Sequence, residues 1–355
     1  MTFGSDDYVP VLKVKRGEKN ALQHVPAPVR YRITPLLEIV ERNPEKAPTV
    51  NRHLITAFKD LNSATRHYRR CLLDVREIES DGPAAAAAVF DRAAQTGIVF
   101  TPVTGLSRTA DVASAFRHRS NGIAVRLTRM EFEGGSLTRD ILAFMSRHSL
   151  AHAEVDLIVD LGPVDTLVQY GVAALAAAFL ADVPDQTRWR TLTLSACAFP
   201  ASMGGVERNF QSYVERSEWN VWREVIHANR QSLERLPTYS DCCIQHPSGV
   251  EGFDPRTMQV SAAIRYTLQQ CWLLIKGQST RIILPSRQFR SLATKLVYGD
   301  LSGDFAGSSH CAGCAEMKAA ADGAPKLGSA EVWRRLGTIH HLITVVEGLS
   351  ALPWP

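Results

Sequence analysis

Val155-Asp156-Leu157-Ile158-Val159-Asp160-Leu161 is the stretch on which the fold turns. Side chains alternate along a strand, so Asp156, Ile158 and Asp160 share one face while Leu157, Val159 and Leu161 share the other. A strand held between helices on both sides would be apolar on both faces. One face that carries acids toward its C-terminal end predicts instead a closed barrel with a polar interior mouth.

Working outward, the same division recurs. Lys13 and Lys15 fall on a face with Val9 and Val11, Glu38 with Leu36 and Val40, Asp74 and Arg76 with Leu72, and Arg126 with Ala124 and Thr128. Ser195 joins Thr191, Thr193 and Cys197, and Asp241 joins Tyr239 and Cys243. The predicted strands are Tyr8 to Lys15, Ile33 to Val40, Cys71 to Ile78, Ile98 to Val103, Gly122 to Phe132, Val155 to Leu161, Trp189 to Cys197 and Tyr239 to His246. Helical periodicity separates them around 18–25, 51–64, 83–96, 108–118, 136–149, 166–181 and 208–235. Strands alternating with helices predict a parallel sheet. No glycine fingerprint of a dinucleotide-binding turn follows Lys15, so the expectation is an α/β fold, a TIM-like (β/α)8 barrel, with a C-terminal α+β annex.

Length agrees with that division. A barrel of about 250 residues leaves about 100 of the 355 for an annex, hence barrel 1–247 and annex 248–355. In the annex, Gln259 to Ile275 reads as a strand pair, Ser286 to Val297 as a helix, Gly299 to Gly328 as turn-rich and Ala330 to Leu349 as a last helix. With 45% hydrophobic and 21% charged residues the chain is expected to be globular rather than disordered. The longest uncharged apolar run, Gly171 to Ala181, is far below the roughly 20 residues of a membrane span, and Met1 to Asp7 has no signal-peptide core. A cytoplasmic protein with no membrane partner is expected. The net charge of +4 is spread along the chain and does not demand nucleic acid. Seven scattered cysteines, an odd number, argue against a disulfide framework.

The predicted inward set balances Lys13, Lys15, Arg76 and Arg126 against Glu38, Asp74, Asp160 and Asp241. Such a mouth can supply an anion clamp and proton carriers, which makes the lysines and arginines, with Ser195, candidate ligand-binding groups. Glu38, Asp74, Asp160 and Asp241 are the candidate acids and bases, joined by His246 near the end of the eighth strand. The competing reading is a self-paired buried network. Tyr266 and Lys276, with Trp272, are candidates for a lid over the mouth. His310-Cys311-Ala312-Gly313-Cys314, with His340 and His341 downstream, has metal-like spacing, but a lone CxxC reads first as a loop with two free thiols, so no metal is assigned.

Tyr8 to Glu18, Pro35 to Ile39, Ser240-Asp241, His246-Pro247, Ile264 to Thr267, Trp272, Lys276-Gly277, Tyr298 to Asp300, Trp333 and His340 to Leu342, in this order and spacing, resemble the phage-type beta protein family from end to end. The resemblance implies a shared site at Lys13, Lys15, Glu18, Glu38, Asp241, His246, Tyr266, Lys276 and His341. It also implies a phage-related or antiviral-defence setting, sometimes with a nuclease-like partner, but no particular reaction and no known cofactor. The electrostatics favour an anionic small molecule or a nucleic-acid end as ligand, with hydrolytic or phosphoryl-transfer chemistry. The alternative is a non-catalytic recognition or scaffold subunit.

Overall fold

A computed structural model describes residues 2–248, 261–279, 282–283 and 285–354. Eight parallel strands follow one another around the barrel: β1 (Val11–Lys13), β2 (Leu36–Glu38), β3 (Cys71–Asp74), β4 (Phe100–Thr104), β5 (Ile123–Leu127), β6 (Val155–Pro163), β7 (Thr191–Cys197) and β9 (Thr238–Ser240). Bridges from Tyr8 to Ile33 and Tyr239 close the ring, with Val9 N–H donating to Tyr239 O at 3.0 Å and Val11 N–H to Asp241 O at 2.8 Å. Closure removes both sheet edges.

The lower, N-terminal end is plugged by charge pairing. Asp156 accepts from Arg70 Nη1 at 2.5 Å, Arg190 Nη2 at 2.6 Å and Thr191 Oγ1 at 2.8 Å. Above it the interior is lined in part by hydroxyls, among them Thr101, Thr193, Ser195 and Ser240. Apolar outward residues such as Leu37, Leu73, Val125 and Leu157 are buried in the barrel's main apolar core.

Between β7 and β9 the 208–235 periodicity is not one helix. Gln211–Glu215 is a strand, β8, followed by a helix at Ser217–Val221 that widens into a π-turn over Trp222–His227. β8 pairs with β11 (Cys271–Ser279), which pairs in turn with β10 (Ser261–Thr267) in an antiparallel sheet. The annex hairpin therefore takes its third strand from within the barrel's span of sequence. Residues 259 and 260 of the expected strand pair lie outside the described residues. Helices Pro285–Tyr298, Ala312–Ala321 and Ala330–Ser350 complete the annex. The middle one corrects the turn-rich reading of 299–328: it starts at the Cys-Ala-Gly-Cys segment, where Cys311 caps the helix with its sulfur.

Candidate functional site at the barrel mouth

Register brings the expected charges together. Lys13 stands beside Glu38 and Glu38 beside Asp74 in successive strands, and Asp160 stands beside Ser195. Arg126, on β5, reaches across the mouth. Its Nη1 donates to Glu38 Oε1 at 2.7 Å and to Asp74 Oδ2 at 2.9 Å, and its Nε and Nη2 lie 2.9 and 2.8 Å from Asp160 Oδ2. Lys13 Nζ lies 2.6 Å from Glu38 Oε2 and also pairs with Glu77. Arg76 reaches Asp160 at 3.4 Å.

Three further members were not anticipated. Glu77 lies on the 3-10 turn after β3, where two-residue alternation has no meaning, and Arg108 and Asp111 lie in the loop after β4. Arg108 Nη2 donates to Asp74 Oδ1 at 2.7 Å and its Nε to Asp111 Oδ2 at 2.7 Å. A Cβ at Gly105 would come within 2.9 Å of the Arg108 side chain, so the glycine leaves room for the arginine to fold back over the mouth. Burial alone would raise the Asp74 carboxyl, but Arg108, Arg126 and Arg76 outweigh it and hold the group well below the usual carboxylate range. Glu38 is buried as deeply, and Arg126 and Lys13 hold it below its ordinary value too. Glu77 moves the other way: burial and the nearby Glu38 charge raise it despite Lys13. Its side chain is 23% exposed, which makes it the mouth carboxyl poised to exchange a proton with solvent.

Lys15 caps the helix Arg16–His24 and is exposed, with no ion pair within 4 Å among the described residues. Arg76 is 37% exposed. Both are cations that the mouth offers to solvent.

Other expected site residues lie elsewhere. Leu194 pairs with Tyr239 and Ser195 with Ser240, whose hydroxyls are 3.1 Å apart inside the barrel. Tyr239 and Asp241 therefore face outward, which corrects the inward placement of Asp241. The strand ends at Ser240, and Cys243 has a φ of +56°, so alternation beyond that point does not hold. Asp241 lies against the annex, where Tyr8 donates to it, Tyr239 OH donates at 2.8 Å, Cys243 N–H donates at 2.9 Å, and His341 Nε2 is 3.1 Å away. Thr267 Oγ1 holds the other nitrogen of His341 at 2.9 Å. Burial would raise the Asp241 carboxyl; His341, Arg216 and Tyr8 reverse this and hold it below its ordinary range.

His246 is buried, with Nε2 3.6 Å from Asp165 in the loop after β6. Glu18 is buried, and burial raises its carboxyl against the charges of Arg334 and Lys15. Lys276 spends its ammonium on the carbonyls of Met203 and Val206, both at 2.7 Å. Tyr266 is fully buried in the annex core, stacked on His340 at 3.9 Å between centroids. Tyr266 therefore lies in the annex core, while Lys276 is tied to the segment that follows β7.

The architecture defines a closed (β/α)8 barrel with a charge-paired mouth, buttressed by an antiparallel annex. The family model described as Beta protein matches residues 8–347, so the chain belongs to that family. No curated protein matches it. Among solved structures it is similar to the crystal structure of a mandelate racemase/muconate lactonizing protein from Herpetosiphon aurantiacus, with 11% identity and a TM-score of 0.34. That match covers 79% of this chain and 63% of that one. No helix among the described residues is long and apolar enough to cross a membrane.

Proposed function

We propose that the barrel binds an anionic, phosphate-type ligand at the C-terminal mouth of its strands, through Lys15 and Arg76 at the rim. The observation that carries this reading is the contrast in pairing: Glu38, Asp74 and Asp160 are engaged by Arg126, Lys13 and Arg108, whereas Lys15 has no ion partner among the described residues. A saturated floor is rigid and preorganised, and exposed cations above it can meet a ligand's charge. If hydrolytic or phosphoryl-transfer chemistry accompanies binding, the Lys13–Glu77 pair is the proton carrier this geometry favours, rather than Glu38, Asp74 or Asp160.

Titration calorimetry with inorganic phosphate and with a 5′-phosphorylated oligonucleotide tests the proposal. Wild type is expected to bind at least one of them, more weakly as salt rises, and Lys15→Ala/Arg76→Ala is expected to lose tenfold or more at unchanged urea stability. Equal binding by the double variant, or no binding of either probe by wild type, rejects it.

A second reading, a non-catalytic recognition subunit in a phage-related defence system, is favoured by apolar side chains on the same rim. Met130 and Val168 are each 75% exposed and Tyr170 is 84% exposed, in the segments that follow β5 and β6. A stoichiometric partner retained at low salt and lost on Val168→Asp/Tyr170→Asp would support this reading. Recovery of monomer alone would remove it.

A further inference from the structure

The annex core holds a cluster that the mouth does not use. Cys311 and Cys314 stand at the start of helix Ala312–Ala321, and helix Ala330–Ser350 brings His340 against them. Cys314 Sγ is 3.3 Å from His340 Nδ1, and Cys311 Sγ is 3.9 Å from the same atom. A ring nitrogen of His310, Cys311 Sγ and a ring nitrogen of His340 lie within 4.8 Å of one another. Zinc–sulfur bonds of about 2.3 Å and zinc–nitrogen bonds of about 2.0–2.1 Å make the edges of a tetrahedral site about 3.4–3.8 Å long; the two sulfurs stand 3.3 and 3.9 Å from His340 Nδ1, and His310 stands farther off, within 4.8 Å of Cys311 and His340.

The surroundings point the same way. His340 Nε2 is 2.8 Å from Thr267 O, a carbonyl that can only accept, so Nε2 carries the proton and the Nδ1 lone pair faces the two sulfurs. Metal-bound histidines are oriented by this kind of outer hydrogen bond. The sulfurs have donors of their own: Cys314 N–H donates to Cys311 Sγ at 3.2 Å. Tyr266 OH accepts from Ala306 N–H at 3.0 Å, which leaves its proton free for Cys314 Sγ at 3.3 Å. Gly313 makes the approach possible, since a Cβ there would sit 2.4 Å from Leu336 O. Cys311, Cys314 and His340 are more than nine-tenths buried, and the His310 ring lies 4.9 Å from that of His340, with its Nδ1 3.4 Å from Glu347 Oε2 and its Nε2 3.4 Å from Thr344 Oγ1.

We propose that Cys311, Cys314, His340 and His310 form a structural site for a thiophilic divalent metal of the zinc class, pinning the Cys-Ala-Gly-Cys turn to the last helix. Binding converts two thiols to thiolates and releases their protons, with no change of oxidation state.

Untagged full-length protein, purified without chelator or added metal, is assayed for metal by elemental mass spectrometry. About one zinc per chain is expected, falling at least fivefold in Cys311→Ser/Cys314→Ser and in His340→Ala, and unchanged in the control Cys271→Ser. Because the site variants can misfold, wild type stripped of metal is also loaded with Co2+. Intense tetrahedral d–d bands and thiolate-to-cobalt charge transfer are expected, and are abolished by one equivalent of zinc. Wild type that holds less than a tenth of an equivalent and shows no such spectrum with Co2+ overturns the proposal. So does a Cys311–Cys314 disulfide found by peptide mapping of the metal-free protein as purified under anaerobic conditions. The site lies outside the mouth, so either result is independent of phosphate binding there.

Discussion

At the scale of single residues, most buried charges of the mouth are surrounded by partners, and Glu218, away from it, is an instructive contrast. It lies beside the outward Asp241 cluster and lines a small cavity with Leu161, Val172, Trp222 and Ser240. Its Oε2 has no hydrogen-bond partner among the described residues, and Tyr239 OH is 3.5 Å from Oε1. Burial pushes its carboxyl up to about 8, with Arg216 only partly opposing. The folded protein therefore retains a proton that the unfolded chain releases above about pH 4.5, so this residue's contribution to stability is full below that pH and falls as pH rises toward 8. The shift from the usual value of 4.5 to about 8 corresponds to at most about 5 kcal/mol. Glu218→Gln, neutral at every pH, is expected to gain several kcal/mol relative to wild type between pH 5 and pH 8 in urea unfolding. An unchanged difference between the two proteins would mean that Glu218 is ionised in the fold.

At the scale of elements, close packing is set by glycines on the last helix. Gly337 faces β10, and a Cβ there would lie 2.6 Å from Arg265 O and 2.9 Å from Ile244 Cδ1. Within a helix, glycine to alanine ordinarily gains about 1 kcal/mol. A clash with backbone reverses the sign, because the helix must move away from Thr267 and from the Asp241–His341 contact. Gly337→Ala is expected to destabilise by about 1–3 kcal/mol, read from the urea midpoint, and a stabilised variant would show that the interface yields freely. Sequence carried the barrel elements well for a physical reason: a parallel strand with one polar face leaves a two-residue signature, and Lys13, Glu38, Asp74, Arg126 and Asp160 could be read from it. It failed where that period stops. Glu77 and Arg108 reach the mouth from turns, and in the last strand the period itself held, with Tyr239 and Asp241 on one face, but the face that points inward is that of Ser240, so the acid marked the wrong side. β8 was hidden within a longer stretch of helix-like periodicity, and its partner β11 lies more than fifty residues further on. Pairing across such a separation leaves no local trace.

At the scale of the whole molecule, barrel and annex share what each needs to fold. Trp272, Leu274, Leu342, Val345, Val346 and Leu349 belong to the same buried apolar cluster as Tyr8, Leu12 and Tyr239 from the barrel. β8 has its ladder partner in β11, and His341 and Thr267 complete the shell around Asp241. A chain ending at residue 247 would expose that apolar face, leave β8 as an unpaired edge and strand Asp241 and Arg216 without His341. Residues 1–247 alone are therefore expected to be unfolded or aggregated. The full chain is expected to lose far-UV circular dichroism and tryptophan fluorescence at one urea midpoint, with Trp189, Trp219 and Trp222 reporting on the barrel side and Trp272, Trp333 and Trp354 on the annex side. Two separated transitions, or a soluble 1–247 fragment that unfolds cooperatively, would show that the barrel holds without its annex. In that event the paired mouth, and not the Asp241–His341 contact, would be what closes the ring.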